Sequence, residues 1–194
     1  SSDLQLSRGE PVSDTAKVAS SMLDVIALRV DKHETLEMFA ANSSVPVINA
    51  LSDLSHPCQI LADLMTFKEN SVSELEKVCW IGDGNNVCNS YIEASKILDF
   101  ELSIYCPKEY SPDPSFLNYA KQNSSFANSR EEAAKGADII TTDVWVSMGD
   151  EKTKERAFEG YFVDTDLIEN TGKKSIFLHC LPAHRGQEIT FELM

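Results

Sequence analysis

Two things are missing from this 194-residue chain: an apolar run long enough to span a bilayer, and any surplus of positive charge. A membrane-spanning helix needs about 20 consecutive apolar residues, and stretches such as Val25-Ile26-Ala27-Leu28 fall far short. No signal-peptide pattern is present either. Lys and Arg number 17 against 31 Asp and Glu, a net charge of −14. That balance argues against a nucleic-acid or anionic-membrane partner. An anionic substrate would need a local cluster of cations or backbone amides. Cysteine is sparse and unpatterned: Cys58, Cys79, Cys88, Cys106 and Cys180 are odd in number and include no C-x-x-C pair. This speaks against a disulfide framework or a zinc ribbon and for reduced thiols in a cytoplasmic compartment. Internal repeats and low-complexity segments are also lacking.

What is present is alternation, with an apolar content of 42%, enough for one core or two small ones. The spacing predicts a loop over 1–15, then a helix with Asp14 as N-cap and Val18, Met22 and Leu23 at helical spacing. A buried strand follows at Val25–Val30, a helix at His33–Ala41 and a strand at Val45–Asn49. The stretch Ser55-His56-Pro57-Cys58-Gln59 opens the next helix. Pro57 suits the first helical position, His56 the N-cap and Gln59 the capping-box position. Ile60, Leu61, Leu64 and Met65 make its apolar face. Further on, strands are expected at Val78–Ile81, Leu102–Cys106, Ser125–Ala127, Ala137–Thr142 and Ser175–His179. Helices are expected at Val87–Leu98, Phe116–Lys121, Arg130–Lys135 and 151–159, with a turn at Asp164–Glu169. Strands alternating with helices imply an α/β fold, with mostly parallel open sheets covered by helices on both faces.

In such sheets ligands sit beyond the carboxyl ends of the strands, and the chemically unusual residues recur there. Arg29 ends one strand, His56 follows another, Asn85-Asn86 a third, Asp143 with Ser147-Met148-Gly149 a fourth, and His179-Cys180 a fifth. Each has a bland alternative. Arg29 can reach solvent, the asparagines can be turn residues, Asp143 can be an N-cap, and Cys180 a buried structural thiol. Sharper alternatives fit poorly. Gly82-Asp83-Gly84 lacks the third glycine of a dinucleotide fingerprint, since Val87 stands there. His179, Cys180 and His184 make poor metal geometry, because adjacent strand residues point to opposite sides. A Cys180 nucleophile has no partner His fixed by the local sequence.

The motifs His56-Pro57-Cys58-Gln59, Gly82-Asp83-Gly84-Asn85-Asn86, Asp143-Val144-Trp145-Val146-Ser147-Met148-Gly149 and His179-Cys180-Leu181-Pro182 carry a resemblance over essentially the whole chain. It resembles the ornithine carbamoyltransferase (ornithine transcarbamylase) family. The resemblance implies a two-domain fold: a partial carbamoyl-phosphate-binding domain over 1–60 and an ornithine-binding domain over 61–194. It implies transfer of a carbamoyl group from carbamoyl phosphate to the side-chain amine of L-ornithine, giving L-citrulline and phosphate, with no metal and no cofactor. On the family pattern Arg29, His56 and Gln59 hold carbamoyl phosphate, with Cys180 and Leu181 where the substrates meet. Arg29, His56 and Cys180 are the catalytic candidates, and Asn86, Asp143, Ser147 and Met148 the ornithine ligands. A homotrimer is expected of the intact enzyme. The family's Ser-x-Arg-Thr-Arg phosphate segment and its C-terminal helical region have no counterpart here, so the chain reads as incomplete for catalysis. The alternatives are a non-catalytic ornithine-binding fragment and a transcarbamylase for another amine such as putrescine.

Overall fold

The computed structural model describes residues 9–71, 73–146 and 152–193. They divide into two units at the start of one helix, the first reaching Cys58 and the second beginning at Gln59.

The first unit holds α1 (Val12–Ser20), β1 (Ile26–Arg29), α2 (His33–Asn42) and β2 (Val47–Leu51). The strands pair in parallel, with a break in register between Leu28 and Arg29. Ala16, Ile26, Leu28, Leu36 and Phe39 form its core. Two expectations change here. Pro11, not Asp14, is the N-cap of α1: Pro11 has the extended backbone a cap requires, and its carbonyl accepts from the amides of Asp14 and Thr15. Asp14 sits in the first turn, where the helix dipole favours an acid. Strand β1 is not buried throughout. Ile26 and Leu28 face inward while Ala27 and Arg29 are exposed, the period-two pattern of a strand covered on one face.

Helix α3 (Pro57–Asn70) leads into the second unit. Its buried stripe is Ile60, Asp63 and Phe67, spaced as one helical face. Leu61 and Met65, expected in that face, are exposed. There follow β3 (Lys77–Ile81), α4 (Asn86–Leu98), β4 (Glu101–Tyr105), α5 (Pro114–Tyr119), β5 (Ser124–Phe126), α6 (Arg130–Ala134), β6 (Ile139–Thr142), α7 (Thr165–Glu169) and β7 (Ile176–His179). The segment expected to be helical over 151–159 is a 3-10 helix, Lys152–Phe158.

The five strands form one parallel sheet in the order β5-β4-β3-β6-β7. Alternate residues of β3 feed opposite faces. Val78 and Trp80 pack with Ile60, Phe67, Val87, Cys88, Tyr91 and Ile92 of α3 and α4. Cys79 and Ile81 pack with Ala133, Ala134 and Leu167 of α6 and α7. The sheet is therefore doubly wound, as the alternation of elements predicts. Each wholly buried large side chain, such as Ile81 or Ile92, contributes about 1.5–3 kcal/mol of transfer free energy.

Candidate active site

The chain enters the second unit's sheet at its central strand β3, builds outward through β4 and β5, then crosses to β6 and β7 on the other side. The order reverses between β3 and β6, and such switch points leave a crevice beyond the strand ends. The segments leaving β3 and β6 there are Gly82-Asp83-Gly84-Asn85 and Asp143-Val144-Trp145.

Asp143 is the hub. It is only 7% exposed. Its Oδ2 accepts from Asn85 Nδ2 at 2.7 Å, which closes a bridge across the switch point. Its Oδ1 accepts from its neighbour's amide, Val144 N, at 2.8 Å, and from Cys180 Sγ at 2.9 Å. Asn85 is fixed in turn because its Oδ1 caps α4, accepting from Val87 N and Cys88 N. Burial and the adjacent carboxylate of Asp143 both push the Cys180 thiol up, so it stays protonated and donates. A thiol so held is a poor nucleophile. A carboxylate offers about four lone-pair positions, and among the described residues three on Asp143 are taken. The remaining one, on Oδ2, can receive a further donor such as an ammonium.

A second buried carboxylate lies nearby on α3. Asp63 accepts from Gln59 Nε2 at 2.9 Å and from Tyr91 Oη at 2.6 Å. Burial raises the Asp63 carboxyl, and these two donors pull it partly back. Tyr91 is wholly buried, and its hydroxyl is pushed well up, first by burial and then by Asp63. Gln59 Nε2 thus spends one of its two hydrogens on Asp63, which fixes the amide and leaves Oε1 as an acceptor it can present.

The other candidates are placed as follows. Arg29 stands exposed at the end of β1 and makes no ion pair among the described residues. His56 is half-buried, between β2 and α3. Both belong to the first unit. Asn86 begins α4, and its carbonyl accepts from Ser90 Oγ at 2.9 Å. It is the neighbouring Asn85 whose side chain meets Asp143. Cys180 and Leu181 follow β7, and Leu181 is 75% exposed. Ser147 and Met148 lie outside the described residues.

The space a dinucleotide phosphate would need at Gly84 is filled. A Cβ there would fall 2.3 Å from Pro112 N and 2.4 Å from Tyr110 O. Asp83 is held by Lys154 at 2.6 Å, both side chains being nearly buried. Among the described residues no group of three or more His, Cys, Asp or Glu side chains is disposed to hold a metal ion. Asn85 is marked with Asn86 at its strand end but given no ligand role, and Asp63 and Tyr91 are not singled out from the sequence. The only signal for Asp63 is an acid four residues after Gln59.

Comparison with known proteins places this geometry. A family model described as the Asp/Orn binding domain of aspartate/ornithine carbamoyltransferase matches residues 75–194. Its companion, the carbamoyl-P binding domain, matches residues 1–69. An ornithine carbamoyltransferase of Halorhodospira halophila is 49% identical over 191 residues, covering 96% of this chain and 64% of the relative. "Ornithine carbamoyltransferase 1, anabolic" of Pseudomonas savastanoi is 49% identical over 196 residues, covering 99% of this chain and 64% of the relative. Among solved structures, the anabolic ornithine carbamoyltransferase of Campylobacter jejuni superposes with a TM-score of 0.92 at 45% identity, covering 99% of this chain and 67% of that one. That of Pyrococcus furiosus gives 0.89 at 41% identity, covering 99% and 65%. The chain thus spans just under two thirds of the length of these curated relatives.

Proposed function

The chain belongs to the aspartate/ornithine carbamoyltransferase family, and from that premise we propose that it forms part of an ornithine carbamoyltransferase. The reaction is transfer of the carbamoyl group from carbamoyl phosphate to the side-chain amine of L-ornithine, giving L-citrulline and phosphate. The observation that carries this reading is the Asp143 hub at the switch point, with one acceptor position left for a substrate ammonium. In this reading the second unit is the ornithine side. Asp143 takes the α-ammonium as a charge-assisted hydrogen bond. Asn86 and the Ser147-Met148 segment take the remaining α-groups. The first unit, with Arg29 and His56, serves carbamoyl phosphate.

The chemistry is acyl transfer. A neutral amine attacks the carbamoyl carbon, charge builds on the carbonyl oxygen, and the carbon–oxygen bond to phosphate breaks, the departing phosphate taking up the proton that the amine gives up. Arg29 and His56 are the donors for that oxygen and for the leaving phosphate, where fixed donors lower the barrier most. Gln59, its amide nitrogen held by Asp63, offers Oε1 to the carbamoyl –NH2. Cys180 and Leu181 belong to the ornithine side, with the protonated thiol acting by polar contact. Holding both substrates in register removes much of the entropic barrier. No step calls for a metal, a cofactor or a covalent intermediate. We further assign the protein to the cytoplasm, which five free thiols support, and the intact enzyme to a homotrimer; no nucleic-acid or membrane partner is proposed.

Calorimetric titration with L-ornithine, putrescine and carbamoyl phosphate in turn tests the proposal. Ornithine is expected to bind at least about tenfold more tightly than putrescine, which lacks the α-groups that Asp143 would engage. Equal or tighter putrescine binding would overturn the ornithine assignment. Ornithine binding without carbamoyl phosphate binding would favour a non-catalytic ornithine-binding role.

A further inference from the structure

We propose that Glu188 is a positioning residue: it clasps the loop after β7 and, through His179, fixes the Cys180–Leu181 segment against Asp143. This rests on the reading of Cys180 and Asp143 as parts of the substrate site. His179 ends β7, and its side chain is only 2% exposed. Its Nδ1 contacts the carbonyl oxygen of Cys180. A carbonyl can only accept, so Nδ1 carries the hydrogen. Its Nε2 lies 3.2 Å from Glu188 Oε1; a hydrogen bond there takes one further proton, carried by the ring as an imidazolium or by the acid, and that contact sets the rotation of the ring. The same carboxylate oxygen accepts from the amide of His184, midway round the loop. The loop is thus tied to one oxygen at its start and at its middle.

Glu188 is itself anchored. Its carbonyl accepts from Val163 N at 2.9 Å, and wholly buried Ile189 bridges to Val163 and Arg185. The carboxylate is wholly buried, and its Oε2 finds no hydrogen-bond partner among the described residues. A buried acid with an unsatisfied oxygen is costly; an apolar residue would fill this place at lower cost, so packing alone does not account for it. What the acid supplies is direction: ring, carbonyl and thiol are aligned in series, ending on Asp143 at 2.9 Å from Cys180 Sγ.

Alkylation by iodoacetamide, followed cysteine by cysteine by peptide mass spectrometry, tests this in wild type, Glu188→Leu and Glu188→Gln. Leucine fills the volume and removes the clasp. Glutamine keeps the volume and an oxygen in the place of Oε1, which can still accept from His184 N and from a hydrogen on His179 Nε2. In Glu188→Leu the Cys180 rate is expected to rise about tenfold as the thiol leaves Asp143, with buried Cys79 and Cys88 unreactive and Cys58 unchanged. In Glu188→Gln it should stay within about threefold of wild type. Ornithine affinity, read by calorimetry, should fall about tenfold in Glu188→Leu and recover in Glu188→Gln. A Cys180 rate in Glu188→Leu within twofold of wild type would overturn the proposal, as would unchanged ornithine affinity. So would a rise shared with Cys79 and Cys88, which marks general loosening or unfolding. If wild type binds no ornithine, the substrate reading fails, and alkylation alone then decides the clasp.

Discussion

Among the described residues, the two units treat their carboxylates in opposite ways. In the first, charged side chains reach solvent. Arg29 is exposed at a strand end, and Lys32 pairs with Asp53 on the surface at 3.0 Å. Its core is five buried residues, while Val18, Met22, Leu23, Val25, Met38 and Ile48 are exposed. In the second unit, five carboxylates are buried among the described residues: Asp63, Asp83, Asp138, Asp143 and Glu188. Asp138, at the start of β6, is plainly structural, taking the amides of Glu76 and Lys77 and the Lys173 ammonium. Asp143, at the other end, is held by the side chains of Asn85 and Cys180 and by one amide, that of Val144. The difference is that between a preorganised site, whose groups are fixed before substrate arrives, and groups displayed on a surface. Preorganisation is where binding selectivity is expected.

The largest break in this comparison should come from Gly84→Ala. The added Cβ meets backbone atoms of Tyr110 and Pro112, which cannot move aside as a flexible side chain can. A loss on the order of 3 kcal/mol or more is expected for the second unit, read by denaturant unfolding followed through Trp80 fluorescence; a loss under about 1 kcal/mol would show the switch-point turn to be loose. Next comes Asp143→Ala, expected to weaken ornithine binding about 100-fold, the worth of a charge-assisted hydrogen bond. Calorimetry checks it, and an affinity within threefold of wild type would remove Asp143 from the site. Tyr91→Phe deletes one donor to buried Asp63 and should cost about 1–3 kcal/mol by the same unfolding measurement.

A smaller effect concerns pH. The folded-state pKa of Asp63 is raised above 3.8, chiefly by burial, so the folded state binds the proton more tightly. The stability this contributes is fully present below the unfolded value and is lost as pH rises through the folded one. Asp63→Asn should flatten that part of the profile, which begins above about pH 4. An unchanged slope would place the titration elsewhere. Smallest is Arg29→Ala, expected to alter stability by no more than about 0.5 kcal/mol because the side chain is exposed. Its measurable effect should fall on carbamoyl phosphate affinity and, in the intact enzyme, on turnover, with ornithine affinity unchanged.

Much of the fold is legible in the sequence, because apolar runs such as Val78–Ile81 and Ala137–Thr142 are bounded by turn residues and alternate with helical spacings. One-sided burial was not legible at β1. Val25–Val30 reads as continuously apolar up to Arg29, and only the covering helices decide which face is dry. At the site, motif matching marks Asp143, Cys180 and Gln59 but not the atoms they use. That Gln59 spends its amide nitrogen on Asp63 depends on an i, i+4 contact within α3. That Asn85 rather than Asn86 meets Asp143 depends on which residue caps α4. Neighbours of the same type cannot be told apart by pattern when one residue of helix phase separates them. Tyr91 lies far along the chain from Asp63, and Glu188, though close to His179 and His184, meets them through an irregular loop with no periodic signal.

The most direct test of the claim that a preorganised ornithine site lies at the second unit's switch point is amide chemical-shift mapping of the isotopically labelled chain during titration with L-ornithine. The account predicts saturable shifts concentrated at Gly82–Asn86, Asp143–Trp145 and His179–Leu181. Shifts confined to the neighbourhood of Arg29 and His56, or to the cavity lined by Pro107, Tyr110 and Tyr161, would contradict it.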